Sequence, residues 1–220
     1  LRKRVLKPAP NVGYRHILLY YLLSMLTITI LVFNSANTVF LLNVYLKTPK
    51  DEQGTQSGDL VFSQEIMILA TSFLWGLGSD FVGRSVVFAS GFWLMSIGIL
   101  LSSWMNSFVL LLVAKLVFAA GAAASTSMMT AVLGDYIAKG DRGKGGGMLG
   151  LVSAIGAVIA ALIFLRFPTW VGKIAKTSND QWNGHVVYVG IGIFYVLLGM
   201  LALVGLKSPK RVSIFKSFMS

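Results

Sequence analysis

The sequence predicts an all-α membrane protein built as a bundle of six transmembrane helices, and three observations support this fold class. Hydrophobic residues make up 55% of the 220 residues and charged residues only 12%, against ~25% charged residues in ordinary soluble domains. Long uncharged stretches recur along the chain, and a helix needs roughly 20 apolar residues to cross a bilayer. All five prolines lie outside these stretches, as expected because proline breaks a helix interior. The composition excludes a soluble globular protein, a disordered chain and a nucleic-acid-binding module with a soluble core.

The individual helices follow from the spacing of charged and polar residues. Residues 17–46 contain no charge and are too long for the apolar core of a signal peptide. The second and fourth spans hold one charge each, and the polar residues 104–107 (WMNS) separate the third span from the fourth. Strands of a membrane barrel would alternate polar and apolar residues, whereas these stretches are apolar all round. The predicted spans cover residues 17–46, 60–78, 86–104, 108–134, 145–165 and 186–206.

The basic residues predict how the bundle is oriented. Six spans place both termini on one side, which carries thirteen of the 19 Lys and Arg residues, and the other side carries five. Since cytoplasmic loops carry an excess of Lys and Arg, we expect both termini and residues 135–144 in the cytoplasm. Residues 47–59 and 166–185 are then outer loops. The net charge of +11 is therefore mainly a signal of topology, and we expect no nucleic-acid partner.

Three segments make up the predicted domain organisation. A basic cytoplasmic segment covers residues 1–16, the transmembrane bundle covers residues 17–206, and a basic cytoplasmic tail covers residues 207–220. The chain starts with Leu1 rather than Met, so we expect a fragment or a processed product. It contains no cysteine, which excludes disulfides and thiolate metal sites, and we expect no cofactor.

Polar residues inside the spans are the candidates for solute binding and coupling. Asn34 and Thr38 share one face of the first span, with Asn37 beside them, and Glu65 and Lys115 are the charged residues within the spans. A charge deep in a membrane helix costs roughly 2.5–3.5 kcal/mol, so we expect Glu65 and Lys115 to face the interior. There they form a charge pair, or Lys115 binds an anionic group, or Glu65 carries a coupling proton. The plainer alternatives are amides that hold helices together and a Lys115 that reaches the outer interface.

The turn between the second and third spans combines glycines with charges. Gly76 lets helices approach closely, Gly83 suits a tight reversal, and Asp80 and Arg84 face the cytoplasm. Taken alone, the same residues fit a solvated turn with an incidental ion pair equally well. The turn resembles the signature of the major facilitator superfamily, G-x-L-a-D-[RK]-x-G-[RK]-[RK], at the same place between helices two and three. Gly76, Asp80, Gly83 and Arg84 occupy the matching positions, and Phe81 stands where the family has its first basic residue.

Two further stretches show the same resemblance. Residues 115–121 (KLVFAAG) are similar to the helix-four pattern R-x-x-x-G-x-G, with Lys115 at the arginine position. Asp135, followed by Tyr136, and Arg142, followed by Gly143, resemble the D-[YF]…R-G run after helix four. The literal G-x-G-x-x-G within residues 145–150 does not predict a nucleotide site, because no strand precedes it. Small residues four apart in this region, at 143 and 147 and at 146 and 150, instead predict close helix packing.

The resemblance covers nearly the whole chain and implies the N-terminal six-helix half of a twelve-helix transporter. It implies a small-molecule substrate carried across the lipid bilayer by alternating access, with proton coupling open and no enzymatic activity. A second six-helix half, from the same parent chain or another chain, is the implied partner. The resemblance also implies that Asp80, Arg84, Asp135 and Arg142 form a cytoplasmic gating network and that Lys115 takes part in proton coupling. The alternative is a non-transporting scaffold or receptor half.

Overall fold

The computed structural model describes residues 6–10, 12–175 and 179–207 of the chain. Six helical stretches in these residues are long and apolar enough to cross a membrane, and the described residues form no β-strand apart from one isolated bridge. The predicted all-α bundle of six transmembrane helices is therefore confirmed. The α-helices are Tyr14–Ala36 (α1), Thr38–Val44 (α2), Lys50–Val82 (α3), Arg84–Ser102 (α4), Phe108–Tyr136 (α5), Arg142–Leu162 (α6), Phe167–Ala175 (α7) and Asp180–Gly205 (α8).

The first span is broken at Asn37, which separates α1 from α2. Asn37 has φ −86° and ψ 2°, outside the regular helical values. The backbone hydrogen bonds still pass through the break, because Asn37 N–H donates to the Phe33 carbonyl and Leu41 N–H donates to the Asn37 carbonyl. The break therefore redirects the chain without leaving the span, and it places asparagine side chains inside the bundle.

Two predicted outer loops are largely helical in their described residues, and their position outside the membrane stays a prediction. Most of residues 47–59 belongs to α3, whose first turn carries Asp51 and Glu52, and negative charges stabilise a helix N-terminus. Residues 166–185 contain α7 and the first turn of α8, which Asn179 caps by accepting a hydrogen bond from the Trp182 N–H. Hydropathy identifies segments that are stable in lipid. It does not predict a helix in a polar stretch, because such a helix can lie in water. Residues 1–5 and 208–220 of the predicted terminal segments lie outside the described residues.

The most extensive helix packing joins α4 to α5 and involves small residues. A Cβ added at Gly121 would lie 2.6 Å from the Gly91 carbonyl oxygen, and one added at Gly98 would lie 2.7 Å from the Phe118 nitrogen. Small residues allow membrane helices to approach in this way. The α4–α5 pair, with α8 packed on α4 and α1 on α5 and α6, forms the centre of the bundle.

Two of the six spans expose most of their surface. In the most apolar 18-residue stretch of each span, 11% of residues are buried in α3 and 17% in Lys139–Ile174, against 44% to 61% in the other four. A Cβ added at Gly76 or at Gly147 would meet no atom within 4 Å. The predicted close approaches at Gly76 and at the glycine pairs of residues 143–150 are therefore wrong within this chain. Sequence spacing identifies a small-residue face but not the helix that covers it.

Candidate functional site

A polar cluster surrounds the ammonium group of Lys115 in the interior of the bundle. Lys115, on α5, is fully buried. Its Nζ donates to the backbone carbonyl of Asn34 at 2.7 Å, to the Asn34 Oδ1 at 2.9 Å and to the Thr38 Oγ1 at 2.9 Å. An ammonium group has three donors, and the protein supplies an acceptor for each. Lys115 therefore ties α5 to both sides of the break in the first span.

Asn37 and Tyr188 extend the polar cluster to α8. The Asn37 Nδ2 donates to the Tyr188 hydroxyl at 2.8 Å, and both side chains are buried. No sequence motif marks Tyr188. The available signal was a tyrosine in an apolar span, because a buried hydroxyl needs a hydrogen-bond partner. We define the polar cluster as Asn34, Asn37, Thr38, Lys115 and Tyr188.

The expected charge pair between Glu65 and Lys115 is wrong. The partners of Lys115 are neutral oxygens, and its ammonium group forms no ion pair with a carboxylate of the described residues. Glu65 is exposed on α3, whereas its neighbour Gln64 is buried. Charge position in a sequence predicts depth along the helix, whereas the side chain's direction depends on how the helix is rotated. The two residues therefore occupy different environments and belong to separate sites.

An ion cluster lies at the turn between α3 and α4, at the predicted cytoplasmic end. Arg84 Nε lies 2.6 Å from the Asp135 Oδ2, and the Arg84 Nη2 lies 3.8 Å from the Asp80 Oδ1. Gly83 has φ 108°, a value that favours glycine, and this turn directs Arg84 towards α5. The structure thus brings together three of the four residues of the predicted network. The fourth, Arg142, forms no ion pair with a described residue but donates from its Nη2 to the carbonyl of Gly134, the neighbour of Asp135, at 2.7 Å, and lies near enough to interact electrostatically with the Asp135 carboxylate.

Tyr136 joins three separate parts of the chain beside the ion cluster, a feature that sequence analysis missed. The Ala9 N–H donates to the Tyr136 carbonyl at 2.9 Å, and the Ala138 N–H donates to the Lys7 carbonyl. The Tyr136 hydroxyl donates to the Lys207 carbonyl at 2.9 Å and accepts from the Lys207 N–H at 2.7 Å. The N-terminal segment and the end of α8 are therefore fixed to the end of α5. Two of these hydrogen bonds join backbone atoms only and the other two use the Tyr136 hydroxyl. The sequence motif therefore identifies Tyr136 but not its partners.

Comparison with known proteins identifies the family. Residues 17–218 match the Major Facilitator Superfamily. The chain belongs to this superfamily. No curated protein matches it in sequence. The described helices form one half of a major facilitator fold, with the ion cluster at the signature turn between helices two and three.

Solved structures of major facilitator transporters share this fold at low sequence identity. A bacterial homologue of the human lysosomal transporter Spinster, inward-facing and unoccupied, is 18% identical with a TM-score of 0.70, and the match covers 90% of this chain and 44% of that one. The inward-open xylose transporter XylE from E. coli is 16% identical with a TM-score of 0.64, and the match covers 92% and 52%. The proton:xylose symporter XylE bound to 6-bromo-6-deoxy-D-glucose is 14% identical with a TM-score of 0.64, and the match covers 85% and 44%. The chain therefore spans about half the length of these structures.

Proposed function

We propose that this chain is the N-terminal half of a transporter that moves a small solute across a membrane by alternating access. The observation that carries the proposal is the exposed surface of α3 and α6 in a bundle whose other helices are well buried. Gly76 on α3 and Gly147 on α6 leave open space beside these helices. A second six-helix half packed there would close a solute pathway between the halves, as in transporters built from repeated bundles.

The charged residues suggest a division of roles in the proposed cycle. Arg84 holds the inner ends of α3, α4 and α5 together through Asp80 and Asp135, so we propose that this cluster opens when the inner side of the pathway opens. Glu65 is exposed on α3, where a carboxylate between two halves could bind a proton or a cationic solute. Lys115 already has its three acceptors, so we assign it a role in holding the first span in its broken form.

The proposed topology places residues 1–16 and residues 207–220 in the cytoplasm, on either side of the bundle formed by residues 17–206. The ion cluster and the Tyr136 contacts then lie at the cytoplasmic ends of the helices. The tail would lead into the connection to the second half. This arrangement is supported by the excess of Lys and Arg on that side of the membrane.

Uptake into vesicles tests the proposed transport. The full-length protein is reconstituted into liposomes, and labelled monosaccharides, organic anions and organic cations are offered with and without a proton gradient. We expect saturable uptake of one class, and loss of that uptake when Gly76→Leu and Gly147→Leu obstruct the exposed faces. Gly76→Ala and Gly147→Ala are the matched controls. The absence of uptake of every probe by a correctly folded protein favours the scaffold alternative.

Alternating access has its own test, because the described chain is free of cysteine and single cysteines can be introduced. A cysteine at Phe62 reports the predicted outer side of α3, and a cysteine at Leu77 reports the inner side; both side chains are exposed and belong to neither proposed site. A transported solute should change the thiol reactivity of the two positions in opposite directions. Equal changes at both positions, or no change while uptake proceeds, would contradict the mechanism.

A further inference from the structure

A groove of about 420 Å³ lies between the end of the fifth span and α8. Phe164, which follows α6, and Phe167 and Val171 of α7 form one wall, and Gly190 and Phe194 of α8 lie in the opposite wall. All its lining side chains are apolar, and its volume lies in the range of small-molecule sites, about 300–1,000 Å³. The groove shares no residue with the polar cluster or the ion cluster, so neither of those sites explains it.

The groove opens on the surface of the bundle. Phe194 is 42% exposed, and a Cβ added at Gly190 would meet no atom within 4 Å. Both residues belong to a membrane span, where the surrounding solvent is the acyl chains of lipid. An apolar opening at this position is therefore continuous with the bilayer interior. An acyl chain can enter it without crossing water.

The helix α7, which forms part of one wall of the groove, is amphipathic, as helices at the membrane interface are. In α7, Phe167, Val171 and Ile174 lie on one face, and Thr169 and Lys173 lie on the other. Short helices with one apolar and one polar face lie in the plane of the membrane interface. The apolar face of α7 contributes Phe167 and Val171 to the groove, so its polar face points towards the lipid headgroups.

Two basic residues adjoin the groove-lining residues of α7 along the chain. Arg166 immediately precedes α7, and Lys173 lies on its polar face. Both side chains are exposed, and neither forms an ion pair with a residue of the described segments. Asp180, in the first turn of α8, is the next acid along the chain. Basic residues beside membrane helices bind the phosphate of anionic lipids.

We propose that the groove binds one acyl chain of an anionic phospholipid, whose phosphate contacts Arg166 and Lys173. The lipid comes from the leaflet on the Arg166 side, which the topology predicts to be the outer one. It fills the space between the end of the fifth span and α8. This lipid site is separate from the proposed solute pathway, because no residue of α3 or of the polar cluster lines the groove.

Photolabelling with a defined lipid tests the site. The full chain is reconstituted into phosphatidylcholine vesicles containing phosphatidylglycerol with a photoactivatable diazirine on its acyl chain, and labelled peptides are located by mass spectrometry. We expect labelling to concentrate on residues 164–171 and 186–194, and excess unlabelled phosphatidylglycerol to compete for it. Labelling spread evenly over the exposed apolar faces of α3, α6 and α8, falling only in proportion to dilution, overturns the proposal.

Gly190 offers a matched pair of variants for the acyl-chain part of the site. Gly190→Leu extends a side chain into the groove and should lower labelling several-fold, whereas Gly190→Ala adds a single methyl group and should retain it. Equal labelling of the two variants overturns the acyl-chain site. The competition measurement uses the unsubstituted chain, so the proposal can still be refuted if Gly190→Leu fails to fold.

The headgroup part of the site is tested by removing charge. Replacing Arg166 and Lys173 together by Gln should weaken binding of phosphatidylglycerol by up to about 30-fold, with labelling by a diazirine phosphatidylcholine unchanged. Replacing Lys47 and Lys50 by Gln removes two lysines from the same predicted side and is the control. Equal phosphatidylglycerol labelling in the two double variants overturns the headgroup assignment.

Discussion

Lys115 contacts Asn34 twice, through the backbone carbonyl at 2.7 Å and through the side-chain Oδ1 at 2.9 Å. Asn34 lies one helical turn before Thr38, the first residue of α2, which supplies the third acceptor at 2.9 Å. A buried charge without a counter-charge costs several kcal/mol unless hydrogen bonds offset the loss of water. The double contact with Asn34 provides most of that offset and holds α5 against the break in the first span.

Lys115→Met should destabilise the bundle. The substitution leaves the Asn34 Oδ1 and the Thr38 Oγ1 without their buried donor, and each such loss costs about 1–3 kcal/mol. Thermal unfolding in detergent measures the effect, with the exposed lysine substitution Lys139→Met as control. If Lys115→Met unfolds at the same temperature as the control, the polar cluster does not stabilise the fold.

Glu65→Gln and Lys115→Met should have independent effects on stability. The two side chains lie in different environments and share no partner, and distant sites usually combine additively within about 0.3–0.5 kcal/mol. A double-mutant cycle on thermal or denaturant unfolding measures the interaction free energy. An interaction free energy larger than that range would contradict this prediction and would indicate that Glu65 and Lys115 interact as a charge pair.

Asp135→Asn should affect transport more than Asp80→Asn. The Arg84–Asp135 contact is 2.6 Å long and the Arg84–Asp80 contact is 3.8 Å long, so the first is the principal link between the turn and α5. Partly exposed ion pairs contribute only about 0–1 kcal/mol to stability, which still shifts a conformational equilibrium several-fold. Initial uptake rates of the two variants test which substitution affects transport more, and their melting temperatures control for stability. Equal uptake rates in the two variants would refute the prediction.

Gly98→Ala should be strongly destabilising. The added Cβ would lie 2.7 Å from the Phe118 nitrogen and 2.8 Å from the Ala114 carbonyl oxygen, both backbone atoms that move only with their helix. Overpacking of this kind costs roughly 1–3 kcal/mol. Gly134→Ala is the matched control, because a Cβ there meets no atom within 4 Å. Comparable unfolding temperatures for the two variants would show that the α4–α5 contact is looser than described.

Single cysteines test the predicted orientation. A cysteine at Thr55, near the start of α3, should react with a membrane-impermeant thiol reagent in intact cells. A cysteine at Lys139, between α5 and α6, should react only after the membrane is opened. The opposite pattern would invert the topology inferred from the basic residues, together with the side assigned to the ion cluster.

The number and order of the spans could be predicted from the sequence because hydrophobic length is a property of consecutive residues. The Gly83 turn was also predictable, since its glycine and charges lie at short spacing. The link from Arg84 to the distant Asp135 was expected only from the resemblance to the superfamily. The direction of Glu65 was not predictable, because packing against other helices determines how α3 is rotated. The hydrogen bonds of Tyr188 and Tyr136 were not predicted because their partners are distant in sequence. The helical start of α3 was not predicted because its polar residues gave no hydropathy signal.

The length of α3 has a mechanical consequence. A helix of 33 residues is about 50 Å long, and the hydrocarbon core of a bilayer is about 30 Å thick. The polar turns from Asp51 to Asp59 therefore stand in water as a rigid lever continuous with the membrane-embedded part. When the halves of a transporter rock, the end of such a lever sweeps a longer arc than any residue within the bilayer. A fluorophore at Asp51 would thus magnify a small tilt of the bundle into a measurable displacement.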